Sequence, residues 1–167
     1  MESLKPPDHF HLLAAIGWLE LGNWREAKEE LENITPDLRA RPDVLEVRYE
    51  ICAKAEQWDL AAETAHALCR ILPLAPQYWI WRAYATRRMT GGGIAAAREI
   101  LIKARSLFPT DSVIAYNLAC YACQLGDKEE AWKWLKTAFG LGDPKGVKLM
   151  ALADKDLEPL WKEIGEV

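Results

Sequence analysis

Leu21-Gly22-Asn23-Trp24-Arg25-Glu26-Ala27 is a phrase that the chain repeats. Leu125-Gly126-Asp127-Lys128-Glu129-Glu130-Ala131 restates it, and Gln57-Trp58-Asp59-Leu60-Ala61 keeps its aromatic and its alanine. Gly92-Gly93-Ile94-Ala95-Ala96-Ala97 is a looser copy. The closing alanines, Ala27, Ala61, Ala97 and Ala131, stand 34, 36 and 34 residues apart. A period near 34 with a turn inside each unit marks stacked helical hairpins, each too small to bury its apolar face alone.

Working outward from these turns, helical spacing of apolar residues predicts paired helices. The first pair is His9–Leu21, with Asp8 as its cap, and Trp24–Ile34, broken at Gly22-Asn23. Thr35-Pro36 ends the second of these and leaves a loop through Arg41. The next pair runs from Pro42-Asp43 to Ala55 and from Trp58 to Leu72, with Pro42 in the first helical turn, where no N–H is needed. Gln77–Met89 and Ile94–Phe108 flank Gly91-Gly92-Gly93, the turn expected to be the most mobile because three glycines are costly to order. Ser112–Leu125 and Lys128–Leu141 make the fourth pair. Two shorter helices, near Lys145–Ala151 and Leu157–Ile164, follow Gly142-Asp143-Pro144. The stripe Leu157, Leu160, Trp161 and Ile164 reads as a lid, since the end of a stack has to cover an apolar face. The expected organisation is a short disordered lead at 1–7, four hairpins at 8–143 and capping helices at 144–167.

Half of the 167 residues are hydrophobic, enough for a core of ordinary domain size. The net charge of −4 argues against nucleic acid, whose binding needs a basic surface to release counterions. No stretch has the length and apolarity of a signal peptide core or a membrane span, and four cysteines without such a signal suggest reduced thiols. The expectation is a cytoplasmic protein that binds neither membrane nor nucleic acid. Eight tryptophans suit wedges between stacked helices. In Trp79-Ile80-Trp81 and Trp132-Lys133-Trp134, helical geometry is expected to turn one ring inward and one outward.

With period and turns established, the array resembles the tetratricopeptide repeat (TPR) family over residues 8–143. The likeness is fullest in Tyr116-Asn117-Leu118-Ala119-Cys120-Tyr121-Ala122-Cys123-Gln124-Leu125-Gly126-Asp127, which leads to Glu130-Ala131, Leu135, Ala138 and Asp143-Pro144. The resemblance implies an all-α, right-handed superhelical stack with C-terminal capping helices. It also implies that small residues face each other within a hairpin, as Ala15 with Ala27, Ala85 with Ala97 and Ala119 with Ala131 would. The second unit departs, with Tyr49 opposite Ala61, and should be splayed or shifted in register. Trp81 stands where the family favours tryptophan, whereas His11, Leu45 and Ala115 occupy that place elsewhere. Of the closing prolines, Pro73 and Pro109 fit and Pro36 comes early.

The resemblance further implies a concave groove, lined by first helices, that holds a peptide or helix of another protein. By register that groove would show His9, Leu12, Ile16 and Leu19, then Asp43, Glu46, Glu50 and Lys54. Trp79, Arg82, Thr86 and Met89 follow, and Val113, Tyr116, Cys120 and Cys123 close it. An apolar end, an acidic middle and an aromatic far wall suit an amphipathic or basic segment. The blander alternative is that Glu46 or Glu50 pairs with Arg82 and contributes little. A C-terminal carboxylate is not the expected ligand, because Glu46 and Glu50 would repel it.

The residues carry no local support for an enzyme and imply no cofactor. Cys120-x-x-Cys123 falls mid-helix, without the second pair that zinc wants or the helix N-terminus that a redox pair wants, and reads as two small packed side chains. His9 and His11 diverge on a helix, and His66 among alanines reads as packed or solvent-tipped. Gly91-Gly92-Gly93 lacks the strand and the Lys-Ser/Thr of a phosphate loop. Glu29-Glu30 and Glu129-Glu130 read as solvated faces. The reading is a non-enzymatic adaptor or scaffold with a protein partner. The alternatives are self-assembly through the first helix (Leu12, Ile16, Leu19) and a chaperone of the type III secretion kind, to which Ala67-Leu68-Cys69-Arg70-Ile71-Leu72 is similar. An RNA-binding helical repeat is opposed by Asp43, Glu46 and Glu50.

Overall fold

The computed structural model describes residues 4–166, and among them every regular element is helical. The helices are α1 (Asp8–Glu20), α2 (Trp24–Asn33), α3 (Pro42–Lys54), α4 (Trp58–Ile71), α5 (Pro76–Thr86), α6 (Ile94–Leu107), α7 (Ser112–Gln124), α8 (Lys128–Leu141), α9 (Pro144–Ala153) and α10 (Trp161–Gly165). Two 3₁₀ segments, Pro36–Leu38 and Lys155–Leu160, complete the path. The predicted boundaries hold to within a residue or two except at the end of α5, which stops at Thr86 rather than Met89. The last predicted helix begins instead as the 3₁₀ segment, with Pro159 inside it.

The same turn closes three helices. Asn23 N–H donates to the Trp18 carbonyl, Gln57 N–H to Cys52 and Asp127 N–H to Ala122, each reaching back five residues. This is the helix-ending bond pattern that needs one residue in the left-handed region just before the donor. Gly22 (φ +77°) and Gly126 (φ +88°) fill that place, and in the second copy Glu56 does so at φ +55°. Asn23 and Asp127 then cap the following helices by accepting from Glu26 and Glu130 N–H.

The chain divides into two compact units, one reaching Thr90 and the other starting at Gly91. The division falls at the triple glycine, so α5 belongs to the first unit and α6 to the second. In the first unit α1 packs on α2 and α3, α2 on α3, α3 on α4 and α4 on α5. Leu12, Ala15, Ala27, Leu31, Val44 and Ile51 form one core there. Leu4 joins it, so the lead expected to be disordered is packed from that residue on, its first three residues lying outside the described part. Asp8 is not the expected cap of α1. Its buried carboxylate accepts from Thr35 N–H (2.6 Å) and Thr35 Oγ (3.2 Å), tying the start of α1 to the end of α2. The Thr35 backbone bond holds that carboxyl below its usual pKa.

The second hairpin was expected to be splayed or shifted in register at Tyr49; α3 and α4 pack, with Tyr49 and Ala61 buried in one cluster. The reason is where the ring goes. It lies flat on Trp81 (centroids 4.5 Å apart, planes 2° apart), and its hydroxyl donates to the Trp81 carbonyl at 3.1 Å. In the second unit α6 packs on α7, α7 on α8 and α8 on α9. Ala119 and Ala131 are fully buried there, as a close helix approach requires, and Ala85 and Ala97 are each buried in their own units. Leu157, Leu160 and Ile164 are buried as the expected lid, while Trp161 is half-buried and its indole N–H is shared between the Ala151 and Asp154 carbonyls. All eight tryptophans are half-buried, Trp79 donating to the Pro73 carbonyl and Trp134 to Glu130.

Candidate partner-binding cleft

The first-helix residues singled out by register fare differently in the two units. In the first, Leu12 is spent in the core, Leu19 packs against it and Ile16 is exposed. Two of the three acids of the middle are engaged by neighbours. Asp43 is held by Arg41 in a two-pronged pair (3.1 and 2.9 Å) and accepts the Val44 N–H. Glu46 accepts the hydroxyl of Tyr78, whose pKa is pushed up to about 12 by burial and by that carboxylate. Glu50 is exposed and enters no ion pair among the described residues. The alternative of a Glu46 or Glu50 pair with Arg82 is not realised. Arg82 and Thr86 lie half-buried on α5, and Arg82 bears electrostatically on His66 and Cys69 of α4.

What the first unit assembles is a cleft of about 360 Å³ between α3, the start of α4 and α5. Tyr49, Trp58, Trp81 and Tyr84 supply its aromatic walls, and Glu50 and Lys54 its charges. Trp58 meets Tyr84 edge-on at 5.8 Å, and the Arg88 guanidinium lies 3.5 Å over Tyr84 and 5.4 Å from Trp58. Such cation–ring contacts fix an arginine in place without hiding its donors. Of the predicted residues only Glu50 and Lys54 line this cleft. The aromatic walls were missed, although Tyr49 at a place reserved for a small residue was the signal that something large was being accommodated.

In the second unit the predicted face is covered by the chain itself. Val113 is exposed, but Tyr116, Cys120 and Cys123 are buried where the 3₁₀ segment Lys155–Leu160 packs on α7. The Asp154 carboxylate accepts from the Tyr116 hydroxyl at 3.0 Å and from the Cys120 thiol at 3.5 Å. Gln124 and Lys128 fasten the segment by donating to the Asp156 and Pro159 carbonyls. Burial and the nearby carboxylate both disfavour ionisation of Tyr116, and burial pushes the Cys123 thiol up. Among the described residues, no three His, Cys, Asp or Glu side chains gather as a metal site would need. Cys52 and Cys69 are also buried, the latter thiol being pushed up to about 11. His11, expected to do nothing with His9, bonds Glu30 at 2.8 Å.

No family model and no curated protein matches the sequence. Solved structures do match the fold. TTC0263, a thermophilic TPR protein in Thermus thermophilus, aligns with TM-score 0.69 at 17% identity, covering 95% of this chain and 83% of that one. MamA MSR-1 aligns with TM-score 0.67 at 21% identity, over 80% of this chain and 76% of that one. MamA AMB-1 gives 0.66 at 21%, over 80% and 72%. The fold is thus an all-α helical repeat of paired helices. More narrowly, it is the tetratricopeptide-repeat fold. No helix among the described residues is long and apolar enough to cross a membrane.

Proposed function

We propose that this chain is a non-enzymatic protein-interaction module that holds a segment of a partner protein against the first-helix face of its first unit. The observation that carries the reading is the open aromatic cleft of Tyr49, Trp58, Trp81 and Tyr84, with Glu50 exposed at its edge. Aromatic walls supply contact area at small entropic cost and favour an amphipathic segment, whose polar side would meet Glu50, Lys54 and Arg88. Arg82 and Thr86 of α5 lie outside the cleft, and Tyr116 and Cys120 take no part because the chain's own C-terminal segment lies on them. The reading as a non-enzyme rests on what is gathered: rings and surface charges at the cleft, and thiols that burial keeps protonated elsewhere.

The test is selection of a random-peptide phage library on the immobilised full chain, followed by titration of the enriched peptides. Peptides that pair an aromatic or apolar residue with a charged one should emerge, and Glu50→Lys with Tyr84→Ala should weaken them by ~10-fold or more, about 1.4 kcal/mol. Enriched peptides that bind this variant as well as wild type would place the contact elsewhere. Failure to enrich any peptide would overturn the reading.

A further inference from the structure

Helices α2 and α4 each pack on α3 and leave a cavity of about 230 Å³ between them. Arg48, Ile51 and Cys52 of α3 face it, whereas Glu50, Ala53 and Lys54 face the aromatic cleft on the other side of the helix. The floor is apolar. Leu31 and Ile51 are almost wholly buried there, Cys52 is buried beside them, and Leu60 closes one edge while 49% exposed. An apolar cavity of ~150 Å³ takes up a molecule the size of benzene. The volume here therefore admits a small organic ligand with a few polar atoms besides.

The groups around that floor set the ligand's chemistry. Lys28 of α2 and Glu63 of α4 stand on opposite walls with opposite charges, and neither forms an ion pair among the described residues. The Gln57 side chain, in the turn between α3 and α4, has no hydrogen-bond partner among them either. The other two charged residues of the lining, Glu32 and Arg48, lie 3.7 Å apart and offset one another, and Arg39 also holds Glu32 at 2.9 Å. One ammonium, one carboxylate and one amide are thus left open around a single apolar floor. Burial pushes the Cys52 thiol up, and the charges that bear on it are Arg48 and Lys28. The positive side of the cavity is accordingly the α2–α3 side, and Glu63 makes the α4 side negative.

We propose that this cavity binds a small zwitterion with an apolar side chain, the chemistry of a free aliphatic or aromatic amino acid. Its carboxylate meets Lys28, its ammonium meets Glu63, and its side chain lies on Leu31, Ile51 and Cys52. Gln57 can donate to the first end or accept from the second. A simple acid leaves Glu63 unmatched and a simple amine leaves Lys28 unmatched. The site shares no residue with the aromatic cleft, so each can fail without the other. Lys28 and Glu63 are exposed, and exposed ion pairs contribute little, so the side chain on the floor carries most of the affinity. Binding should be weak, with a Kd of ~10⁻⁴ to 10⁻³ M for so small a ligand.

The experiment is an amide-resolved NMR titration of the full chain with leucine, glycine, isocaproate (leucine without its ammonium) and isopentylamine (leucine without its carboxylate). Leucine should saturably shift resonances of the cavity lining and bind ~10-fold or more tightly than glycine, which leaves the floor uncovered. Isocaproate and isopentylamine should each bind ~3-fold or more weakly than leucine. Lys28→Gln should bring leucine down toward isopentylamine, and Glu63→Gln down toward isocaproate. Both positions are exposed and outside any ion pair among the described residues, so neither substitution removes a contact of the fold. No saturable shift up to ~10⁻² M leucine overturns the proposal. Shifts centred outside the cavity overturn it too, as does glycine that binds as tightly as leucine. So does a single-charge analogue that equals leucine, or a variant that binds leucine like wild type, because the two walls would then not read the two charges.

Discussion

Helices α3 and α7 hold the same place in the repeat, and Glu46 and Glu50 of one correspond in register to Tyr116 and Cys120 of the other. Each face makes one tyrosine–carboxylate bond, but with the roles exchanged. In the first unit Glu46 accepts from Tyr78 of a later helix, and Glu50 is left at an open aromatic cleft. In the second unit Tyr116 donates to Asp154 of the C-terminal segment, and the face is closed. The difference follows from what the sequence supplies next. After α4 comes another full helix that stands alongside, with Trp81 ready to stack on Tyr49. After α9 the chain turns into a short 3₁₀ segment with Pro159 in it, and it lays that segment on α7. Register locates a face of the repeat, and the residues downstream decide whether that face is used internally.

The sharpest way to break the comparison is at the aromatic stack that keeps the first face open. Tyr49→Ala removes a buried ring from under Trp81 and should cost ~3–5 kcal/mol in urea unfolding, as large aromatic truncations do. Tyr49→Phe keeps the stack and loses the bond to the Trp81 carbonyl, about 1 kcal/mol. A loss below about 1 kcal/mol for the alanine would mean that the stack does not hold α3 to α5. On the closed face, Leu157→Ala should cost ~2–5 kcal/mol and loosen the segment over α7. Cys120 and Cys123 should then react faster with a disulfide reagent under native conditions, while Cys52 and Cys69 of the first unit keep their slow rates. Equal acceleration of all four thiols would indicate general unfolding and refute the local cover.

Each unit also ties a terminal segment with one aspartate, Asp8 to Thr35 in the first and Asp154 to Tyr116 and Cys120 in the second. The folded-state pKa of Asp8 is depressed, so its bond stabilises the protein above the usual carboxylate pKa of 3.8 and is lost as pH falls through the lower folded value. Asp8→Asn should therefore lower the melting temperature at neutral pH, and the gap to wild type should close as pH drops below about 4. A gap that stays constant down to that region would show that the tie does not depend on the ionised carboxylate.

These contrasts also mark how far the residues could be read without coordinates. The period, the turns and nearly every helix end were legible, because each rests on local chemistry: glycine at a left-handed position, proline at a first turn, apolar spacing within a helix. Glu50 and Lys54 were legible by register, which is local bookkeeping as well. The aromatic walls of the cleft, the Tyr78 bond that removes Glu46 from the acidic middle and the cover over Tyr116 and Cys120 were not. Each joins residues 32 to 38 positions apart, and no local pattern states which of several rings or carboxylates will meet. Asp8 shows the same limit at small scale. Its sequence context is that of a cap, and a partner 27 residues away takes the carboxylate instead.

The smallest predicted effect lies in the repeated turn. Gly126 of the second unit and Glu56 of the first sit at one position with one bond pattern, at φ +88° and +55°. A side chain in the left-handed region costs ~1–2 kcal/mol, and glycine avoids it at the expense of a more disordered unfolded chain. Space around Gly126 is open, so Gly126→Ala meets only the backbone cost and should lose ~1–2 kcal/mol. Glu56→Gly relieves that cost but frees the unfolded chain, so it should gain at most ~1 kcal/mol. The two substitutions have opposite signs for one physical reason, and paired urea titrations read them directly. A loss on Glu56→Gly would mean that the Glu56 side chain contributes to the first unit in a way its exposed place at the turn does not require.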